Sequence, residues 1–257
     1  MQTAVAPRPI ALASTVNKKG EINLSPFSFF NMVSTNPPIL VFSASRRVRD
    51  QSNKHTLHNI EQTKQVVIGI VNYAMVQQVS LSSTEYPAHI NEFEKAGLTM
   101  GKSEKVAPPL ILESPVNFEC EVKSIQSFGE KGGAGNLIIC EVVNMHLQEE
   151  YLNAEGMLDQ KKLDLVARLG GAYYSRNNDA NLFEVPKPLS TLGIGIDALP
   201  MEIRQSEILS GNDLGLLANI ENLQGQLFSG DPSDHSQAKN LISQGKVKEA
   251  WEILTRN

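Results

Sequence analysis

Residues 116–125 have the sequence VNFECEVKSI, residues 136–147 have the sequence NLIICEVVNMHL, and these two runs decide the fold class. Apolar and charged residues alternate strictly from Phe118 to Lys123. A period of two is typical of a β-strand that buries one face, because successive side chains point to opposite sides of the sheet. The two runs therefore predict a long antiparallel hairpin.

The segment that joins the two runs, residues 129–135, is rich in glycine. Glycine-rich loops can bind phosphate, but they do so where a helix starts directly after them and supplies free N–H groups. Here a strand follows. We therefore favour a flexible hairpin connection over a phosphate-binding loop.

Other short apolar runs, bounded by turn residues, predict further strands. They are Ile10–Val16, Ile39–Ser43 and Val66–Val71. The polar segment Asn17–Gly20 predicts a hairpin turn that leads from the first of these runs into Glu21–Leu24.

Helices are predicted between the strands. Thr56–Thr63 has Leu57 and Ile60 on one face, and Thr56 is placed to cap it. The other helical regions lie near Tyr73–Leu81 and at Asn91–Ala96, where Gly97 ends the helix.

The character of the sequence changes near residue 190. A final amphipathic run, Gln237–Arg256, has apolar residues at helical spacing on both sides of Gly245. We therefore expect a main domain over residues 1–189. Residues 190–257 are expected to form a partly helical extension that packs on that domain or on a partner subunit.

Composition limits the possible functions. The net charge is -5 in 257 residues, which argues against nucleic acid as a partner because phosphate-backbone binding needs clustered cations. No apolar stretch approaches the roughly 18 residues of a membrane span. The N-terminal residues lack the apolar region of a secretory signal. We expect a cytoplasmic protein that does not contact membranes.

The cysteines and histidines predict no metal site. Cys120 and Cys140 lack metal-ligand spacing and lie in strand-like contexts, which favours buried free thiols, although a bridge between the two facing strands stays open. His55 and His58 are three residues apart, but no third ligand is near them in sequence. A place on the helix surface is favoured for both.

Four cations stand close together between the run Ile39–Ser43 and the predicted helix at Thr56. They are Arg46, Arg47, Arg49 and Lys54. In a chain that is acidic overall, this density indicates an anion site, and the first turn of the following helix is suited to a phosphate. The alternative is an ordinary solvated basic loop.

The segment Asn23–Asn31, with the sequence NLSPFSFFN, combines amides, hydroxyls and aromatic rings. Such residues can line the polar edge of a planar heterocycle and close its apolar side. The alternative is that the aromatic residues belong to the core.

An ordered series of motifs resembles the flavin-reductase-like family. It extends from about residue 8 to residue 176 and consists of Arg8–Ile10, Ser14–Thr15, Gly20, Asn23–Asn31, Pro37–Pro38, Lys54–Ile60, Asn91–Leu98, Glu113–Cys120 and Arg168–Tyr174. The family usually has an acidic residue where this chain has His55. The resemblance implies a mainly β fold with helices: an FMN-binding split β-barrel, Greek-key-like and antiparallel, with flanking helices and here a C-terminal helical extension.

The resemblance also implies where FMN binds. The isoalloxazine and ribityl portions would be lined by Ser14, Thr15, Asn23, Ser25, Ser28, Phe29, Phe30 and Asn31. The phosphate would be held by Ser45, Arg46, Lys54 and Thr56. Arg168 and Tyr173 would approach the flavin or the substrate mouth, and the protein would be a homodimer.

Three functions are compatible with this resemblance. The first is an oxidoreductase in which NADH or NADPH delivers hydride to bound FMN, which passes electrons to an acceptor such as another protein. No side chain needs to act as an acid or base in that step, since the redox chemistry belongs to the cofactors. The second is a flavoredoxin-like electron carrier that reacts poorly with nicotinamides. The third is a regulatory module that has lost the flavin.

Overall fold

The computed structural model describes residues 1–186, 192–223 and 227–256. The chain divides into two compact units, residues 1–182 and residues 183–257. The predicted boundary between residues 189 and 190 lies outside the described residues.

The first unit is built mainly from strands. They are β1 (Ala11–Val16), β2 (Ile22–Phe27), β3 (Phe30–Thr35), β4 (Pro38–Ser43), β5 (Gln65–Ile70), β6 (Met100–Gly101), β7 (Leu110–Ile111), β8 (Val116–Ser127), β9 (Asn136–Leu147), β10 (Val166–Arg168) and β11 (Tyr174–Arg176). Seven of them form one antiparallel sheet in the order β2-β1-β5-β8-β9-β4-β3. The prediction of a mainly antiparallel β fold is confirmed.

The predicted hairpin is the longest pairing in this sheet. β8 and β9 pair from Val116 opposite Leu147 to Ser127 opposite Asn136. The three shorter predicted strands are confirmed as β1, β4 and β5. Gly20, at a φ of 83°, closes the predicted turn between β1 and β2.

Helices flank the sheet. In the first unit they are α1 (His55–Thr63), α2 (Val76–Leu81), α3 (Glu92–Ala96) and α4 (Gln160–Leu163), with 3-10 turns at Tyr73–Met75 and Glu149–Tyr151. The start and end of α3 are as predicted. The Asn91 side chain accepts a hydrogen bond from the Phe93 N–H, and Gly97 ends the helix in the left-handed conformation.

The prediction that Thr56 caps α1 is wrong. The N-cap position is Lys54, and it makes no side-chain cap hydrogen bond. Thr56 lies inside the helix, and its hydroxyl donates to Asn23 Oδ1 at 2.6 Å. The Thr56 side chain therefore bonds to a residue of β2, which folding brings next to the helix, and not to a backbone N–H of its own helix.

Side chains of the β1 strand alternate between two apolar clusters. Leu12 packs in a cluster with Met75 and with Phe93 of α3. Ala13 packs in the other cluster with Leu57 of α1. Because successive side chains of a strand point to opposite faces, odd-numbered positions of β1 face α1. This alternation decides which polar side chains of β1 and β2 can reach the start of that helix.

A buried carboxylate anchors the loop that precedes β7. Glu119 on β8 accepts hydrogen bonds from the N–H groups of Glu104, Lys105 and Val106, and His146 Nε2 donates to its Oε1 at 2.5 Å. Burial opposes the charged form, but the hydrogen bonds from His146 and from the backbone outweigh it and lower the pKa of Glu119 to about 2. The ionised carboxylate thus holds three consecutive N–H groups.

The two cysteines lie on neighbouring strands, β8 and β9, and are free thiols, as predicted. Both side chains are fully buried. Burial raises the pKa of Cys140 to about 12 and also raises the pKa of Cys120. Neither thiol has the depressed pKa of a reactive cysteine.

The second unit is helical around a small core of its own. Its described elements are α5 (Met201–Arg204), α6 (Gly211–Leu217), α7 (Pro232–Ser243), α8 (Val247–Leu254), the paired strands β12 (Leu227–Phe228) and β13 (Thr255–Arg256), and a 3-10 turn at Ile196–Ala198. Its core residues include Ile203, Leu217 and Leu254. Among the described residues of the whole chain, no helix is both long enough and apolar enough to cross a membrane.

The predicted single run Gln237–Arg256 is corrected in the structure to two helices and a strand. α7 starts five residues earlier, at Pro232, where Asp231 accepts a hydrogen bond from the Ser233 N–H. Gly245 adopts a φ of 76° between α7 and α8, which a continuous helix does not allow. Packing of this unit on the first unit or on a partner stays a prediction.

Replacing Glu119 by Gln should lower the stability of the first unit by about 3 kcal/mol at pH 7, because three N–H groups lose a charged acceptor. The folded pKa lies below the ordinary value of 4.5. The contribution is therefore present above pH 4.5 and is lost as the pH falls towards about 2. Thermal unfolding should show the variant far below the wild type at pH 7 and by a smaller margin at pH 3, where the unfolded carboxyl is protonated but the folded one is still mostly ionised. Glu121→Gln, at an exposed position of the same strand, is the control, and an equal loss in both variants would contradict the assignment.

Candidate functional site

The cationic loop, residues 44–54, is held against the turn of the long hairpin. Backbone hydrogen bonds join Ala44 and Asn136 in both directions, the Arg46 N–H donates to the Ala134 carbonyl, and the Gly133 N–H donates to the Arg46 carbonyl. These bonds continue the pairing of β4 with β9 beyond Ser43. The glycine turn, residues 129–135, is thus a structural support for the cationic loop, in line with the predicted hairpin connection.

One glycine of this turn, Gly132, is required because the backbone of the cationic loop lies directly against it. A Cβ at Gly132 would lie 2.8 Å from Val48 Cα and 3.0 Å from the Val48 carbonyl oxygen. Both are backbone atoms, which cannot move aside as a flexible side chain can. The absence of a side chain at residue 132 therefore lets the two loops touch.

A cleft opens beside the cationic loop, between the edge strand β2, the start of α1 and the segment Ser82–Tyr86. We call it the anion cleft. It is lined by Asn23, Ser25, Arg47, Lys54, His55, Thr56, Ser82, Ser83, Thr84, Glu85, Tyr86 and Glu92. Of the predicted site residues, Asn23, Ser25, Lys54 and Thr56 meet here.

Lys54 is the central cation of the anion cleft. Its Nζ lies 5.2 Å from the centre of the Phe27 ring, and no carboxylate of the described residues lies within 4 Å of it. Burial lowers the pKa of Lys54, and the neighbouring Arg47 guanidinium lowers it further, whereas Glu85 raises it. A part-buried cation with these neighbours would be stabilised by an anion.

Arg47, and not the predicted Arg46, lines the cleft. Arg47 Nη1 donates to Ser52 Oγ at 3.0 Å and to the Asn53 carbonyl at 2.9 Å, so its guanidinium is fixed inside the loop. Arg46 Nη1 donates instead to the Gln51 carbonyl at 3.0 Å. The sequence indicates a group of cations but does not distinguish adjacent arginines, whose directions depend on the loop backbone.

A chain of hydrogen bonds crosses the floor of the cleft. The Thr56 hydroxyl donates to Asn23 Oδ1, and Asn23 Nδ2 donates to Glu92 Oε1 at 2.8 Å. Glu92 Oε2 accepts from the Leu24 N–H at 3.0 Å. Burial raises the pKa of Glu92, while its hydrogen bonds from Leu24 and Asn23 oppose the rise. Asn23 and Thr56 are thus bound to each other as well as placed at the cleft.

The other predicted residues of β1 lie on opposite faces. Thr15 faces α1, where its hydroxyl accepts from Asn59 Nδ2 at 3.1 Å. Ser14 faces away from Thr15 and is fully buried, and its Oγ has no hydrogen-bond partner among the described residues. The residues that continue the aromatic segment, Ser28 to Asn31, do not line the anion cleft.

A second group of predicted residues gathers around Arg8. The Arg8 guanidinium lies 5.8 Å from the centre of the Phe29 ring. The backbone of Arg8 pairs with the backbone of Arg168. Arg168 Nη1 donates to the carbonyl of Tyr173, a residue that is 76% exposed. Ser45 and Arg46 lie in the cationic loop but are not part of either group.

Several lining residues were not predicted as site residues. Ser82–Tyr86 and Glu92 lie far from the cationic loop in sequence, so no local pattern connects them with it. His55 is predicted on the helix surface, but in the structure it lines the cleft. Burial lowers its pKa, and the charges of Arg47 and His58 lower it further. The sequence position of His55, directly after Lys54, could have indicated that it lies at the site.

The flavin reductase like domain model matches residues 3–166 of this chain. The chain therefore belongs to the flavin reductase-like domain family, and its predicted split-barrel fold is confirmed. One relative is an uncharacterized protein of Aquifex aeolicus, 36% identical over 170 residues, which are 66% of this chain and 84% of that protein.

The solved structures that are similar to this chain include two redox proteins of known name. Nitrilotriacetate monooxygenase component B from Bacillus cereus has a TM-score of 0.66 and 28% identity, and the match covers 72% of this chain and 90% of that one. The 2-nitrobenzoate 2-nitroreductase NbaA from Pseudomonas fluorescens has a TM-score of 0.62 and 28% identity, with 75% and 91% covered.

The donor set of the anion cleft fits the phosphate of a flavin mononucleotide. Among the described residues, Lys54 forms no ion pair with a carboxylate, and Arg47 Nε is buried without a hydrogen bond, with Glu85 Oε1 3.3 Å away. Arginine and lysine are the side chains that bind phosphate oxygens most strongly. The family usually binds FMN, so both the residues and the family agree with this ligand.

Replacing Gly132 by Ala should weaken FMN retention several-fold and lower stability by about 1–3 kcal/mol, because the new methyl group overpacks against the Val48 backbone. Flavin content after gel filtration and thermal unfolding measure the two effects. Gly215→Ala is the control, since a Cβ there meets nothing within 4 Å. Unchanged flavin content in Gly132→Ala would show that the glycine turn does not support the site.

Proposed function

We propose that this chain is an FMN-binding oxidoreductase in which Arg47 and Lys54 hold the flavin phosphate in the anion cleft. The proposal depends on one observation: both cations are part-buried, and among the described residues only the Glu85 carboxylate offsets their charge. Asn23, Ser25 and Thr56 line the same cleft. A flavin phosphate would complete the charge balance.

The residues around the cleft would place the rest of the flavin. Thr15, Asn23 and Ser25 share the face of β1 and β2 that points to α1, and we assign them to the ribityl and ring portions together with Ser14 and the segment Ser28–Asn31. Ser45 and Arg46 are assigned to the phosphate region. Arg168 and Tyr173 are assigned to the open side of the flavin.

Bound FMN would supply the redox chemistry by accepting a hydride from NADH or NADPH. The protein would orient the flavin and leave one of its faces open to the nicotinamide. The names of the two similar structures, a monooxygenase component and a nitroreductase, are those of redox enzymes, which supports a reductase. The alternative is a flavoredoxin-like carrier that exchanges electrons with a protein partner.

We also propose that the protein is a cytoplasmic homodimer. Met32 and Val33 on the edge strand β3 are 58% and 60% exposed, and Met145 on β9 is 49% exposed. β3 is an edge strand and β9 an inner strand of the same sheet, and exposed apolar side chains on a sheet are suited to contact with a second copy of the chain. Sedimentation of the flavin-loaded protein tests this, and a monomer at micromolar concentration would exclude it.

Replacing Lys54 or Arg47 by Gln should weaken FMN binding about tenfold or more, because each removes a charge-assisted hydrogen bond to phosphate. Riboflavin, which lacks the phosphate, should bind wild type and variants equally. FMN affinity of the wild type should fall as the pH rises through the lowered pKa of Lys54. Flavin fluorescence measures all three, with Lys102→Gln at an exposed position as the control. Equal effects on FMN and riboflavin would place the phosphate elsewhere.

Anaerobic mixing of the FMN-loaded protein with NADH or NADPH should bleach the flavin absorbance within seconds, if the chain is a reductase. Stopped-flow absorbance measures the rate for each nucleotide. The same protein reduced chemically and mixed with an electron acceptor gives the second half-reaction. Slow bleaching by both nucleotides, with fast reoxidation, would favour the electron carrier.

A further inference from the structure

Glu85 is an acidic residue inside the anion cleft. It lies on the segment Ser82–Tyr86, and its carboxylate reaches the cationic loop, with Oε1 at 3.3 Å from Arg47 Nε and Oε2 at 3.1 Å from Arg49 Nη2. The Arg47 side chain is 13% exposed, and the Glu85 side chain is 46% exposed. The carboxylate thus approaches the buried cation from the solvent side.

The same carboxylate acts on Lys54, the other cation that lines the cleft. Glu85 raises the pKa of Lys54, opposing the effect of Arg47. Apart from Asp50, which lies 3.7 Å from Arg49 on the exposed side, Glu85 is the carboxylate that balances this group within the described chain. Glu85 thus supplies the negative charge that a ligand phosphate would supply at the same cations.

The contact between Glu85 and Arg47 is an ion pair without a well-formed hydrogen bond. Arg47 Nε is buried and has no hydrogen-bond partner in the part of the chain that the structure describes, although the carboxylate oxygen is 3.3 Å away. A phosphate dianion carries more charge and more acceptor oxygens than a carboxylate. Phosphate is therefore the better partner for Arg47, and Glu85 is the partner that it must replace.

We propose that Glu85 competes with the ligand phosphate for Arg47 and so sets the affinity and the release rate of the flavin. The proposal rests on the proposed function, because it concerns the same phosphate site. When phosphate binds, the carboxylate leaves Arg47 and remains with Arg49 or solvent. The consequence is an exchangeable flavin, held less tightly than the cations alone would hold it.

Replacing Glu85 by Gln keeps the shape and removes the charge. This variant should bind FMN about fivefold more tightly and release it correspondingly more slowly, since a part-exposed charge contributes up to about 1 kcal/mol. Riboflavin affinity should not change. Glu85→Ala should shift FMN affinity in the same direction, which separates loss of charge from any new amide hydrogen bond. Glu94→Gln, on the exposed side of α3, should behave as the wild type.

Flavin fluorescence titration and stopped-flow release measure these effects, and thermal unfolding shows that each variant is folded. Weaker or unchanged FMN binding in both Glu85 variants would overturn the proposal, since the carboxylate would then orient Arg47 or have no effect on it. Equal changes for FMN and riboflavin would overturn it as well.

Inorganic phosphate separates this proposal from the proposed function. Its affinity is measured through the rise in unfolding temperature of wild type and Glu85→Gln. If the wild type takes up no FMN while the variant binds phosphate more tightly, the FMN assignment fails and the role of Glu85 stands. If FMN binds and neither ligand distinguishes the variant from the wild type, only the role of Glu85 fails.

Discussion

The antiparallel pairing of β4 with β9 is the interaction on which the cleft depends. It continues past the end of β4 through the reciprocal hydrogen bonds of Ala44 and Asn136, so the cationic loop leaves the sheet in a fixed direction. From there the chain reaches α1, whose first turn is tied to β2 by Thr56 and Asn23. A loop that carries four cations would otherwise spread into solvent, since like charges repel.

The positive charges that line the anion cleft lower the stability of the folded chain when no anion is bound. Burial disfavours the charge of Lys54, and the neighbouring Arg47 guanidinium adds to this cost, as the lowered pKa of Lys54 shows. Folding tolerates the arrangement because Glu85 offsets part of it and because Arg47 is bound to Ser52 and Asn53. Ligand binding and folding stability are therefore coupled, and an anion that binds the folded chain also stabilises it.

The sequence predicted those parts of the fold that depend on local patterns. Strict alternation from Phe118 to Lys123 marked β8, and Asn91 with Gly97 marked both ends of α3. Where a distant residue decides, the prediction failed: Thr56 donates to Asn23, which lies 33 positions away, and so does not cap its helix. The run after Gln237 kept helical spacing across Gly245, yet the backbone there turns into the left-handed region.

The candidate site follows the same division. Lys54, Asn23 and Ser25 lie in short motifs that could be recognised, whereas the segment Ser82–Tyr86 and Glu92 enter the cleft only through tertiary packing. The choice between Arg46 and Arg47 depended on hydrogen bonds inside one loop, which no periodicity encodes. The assignments of the flavin-contacting residues themselves stay predictions.

Glu92 has a consequence for the solubility of the protein. β2 is an edge strand of the sheet, and its outward Leu24 N–H would be free to pair with a strand of another molecule. The buried Glu92 carboxylate of α3 accepts that N–H and so occupies the hydrogen-bonding position at the edge. Proteins often protect sheet edges in this way against intermolecular strand addition. One side chain thus orders the floor of the cleft and also guards the sheet against aggregation.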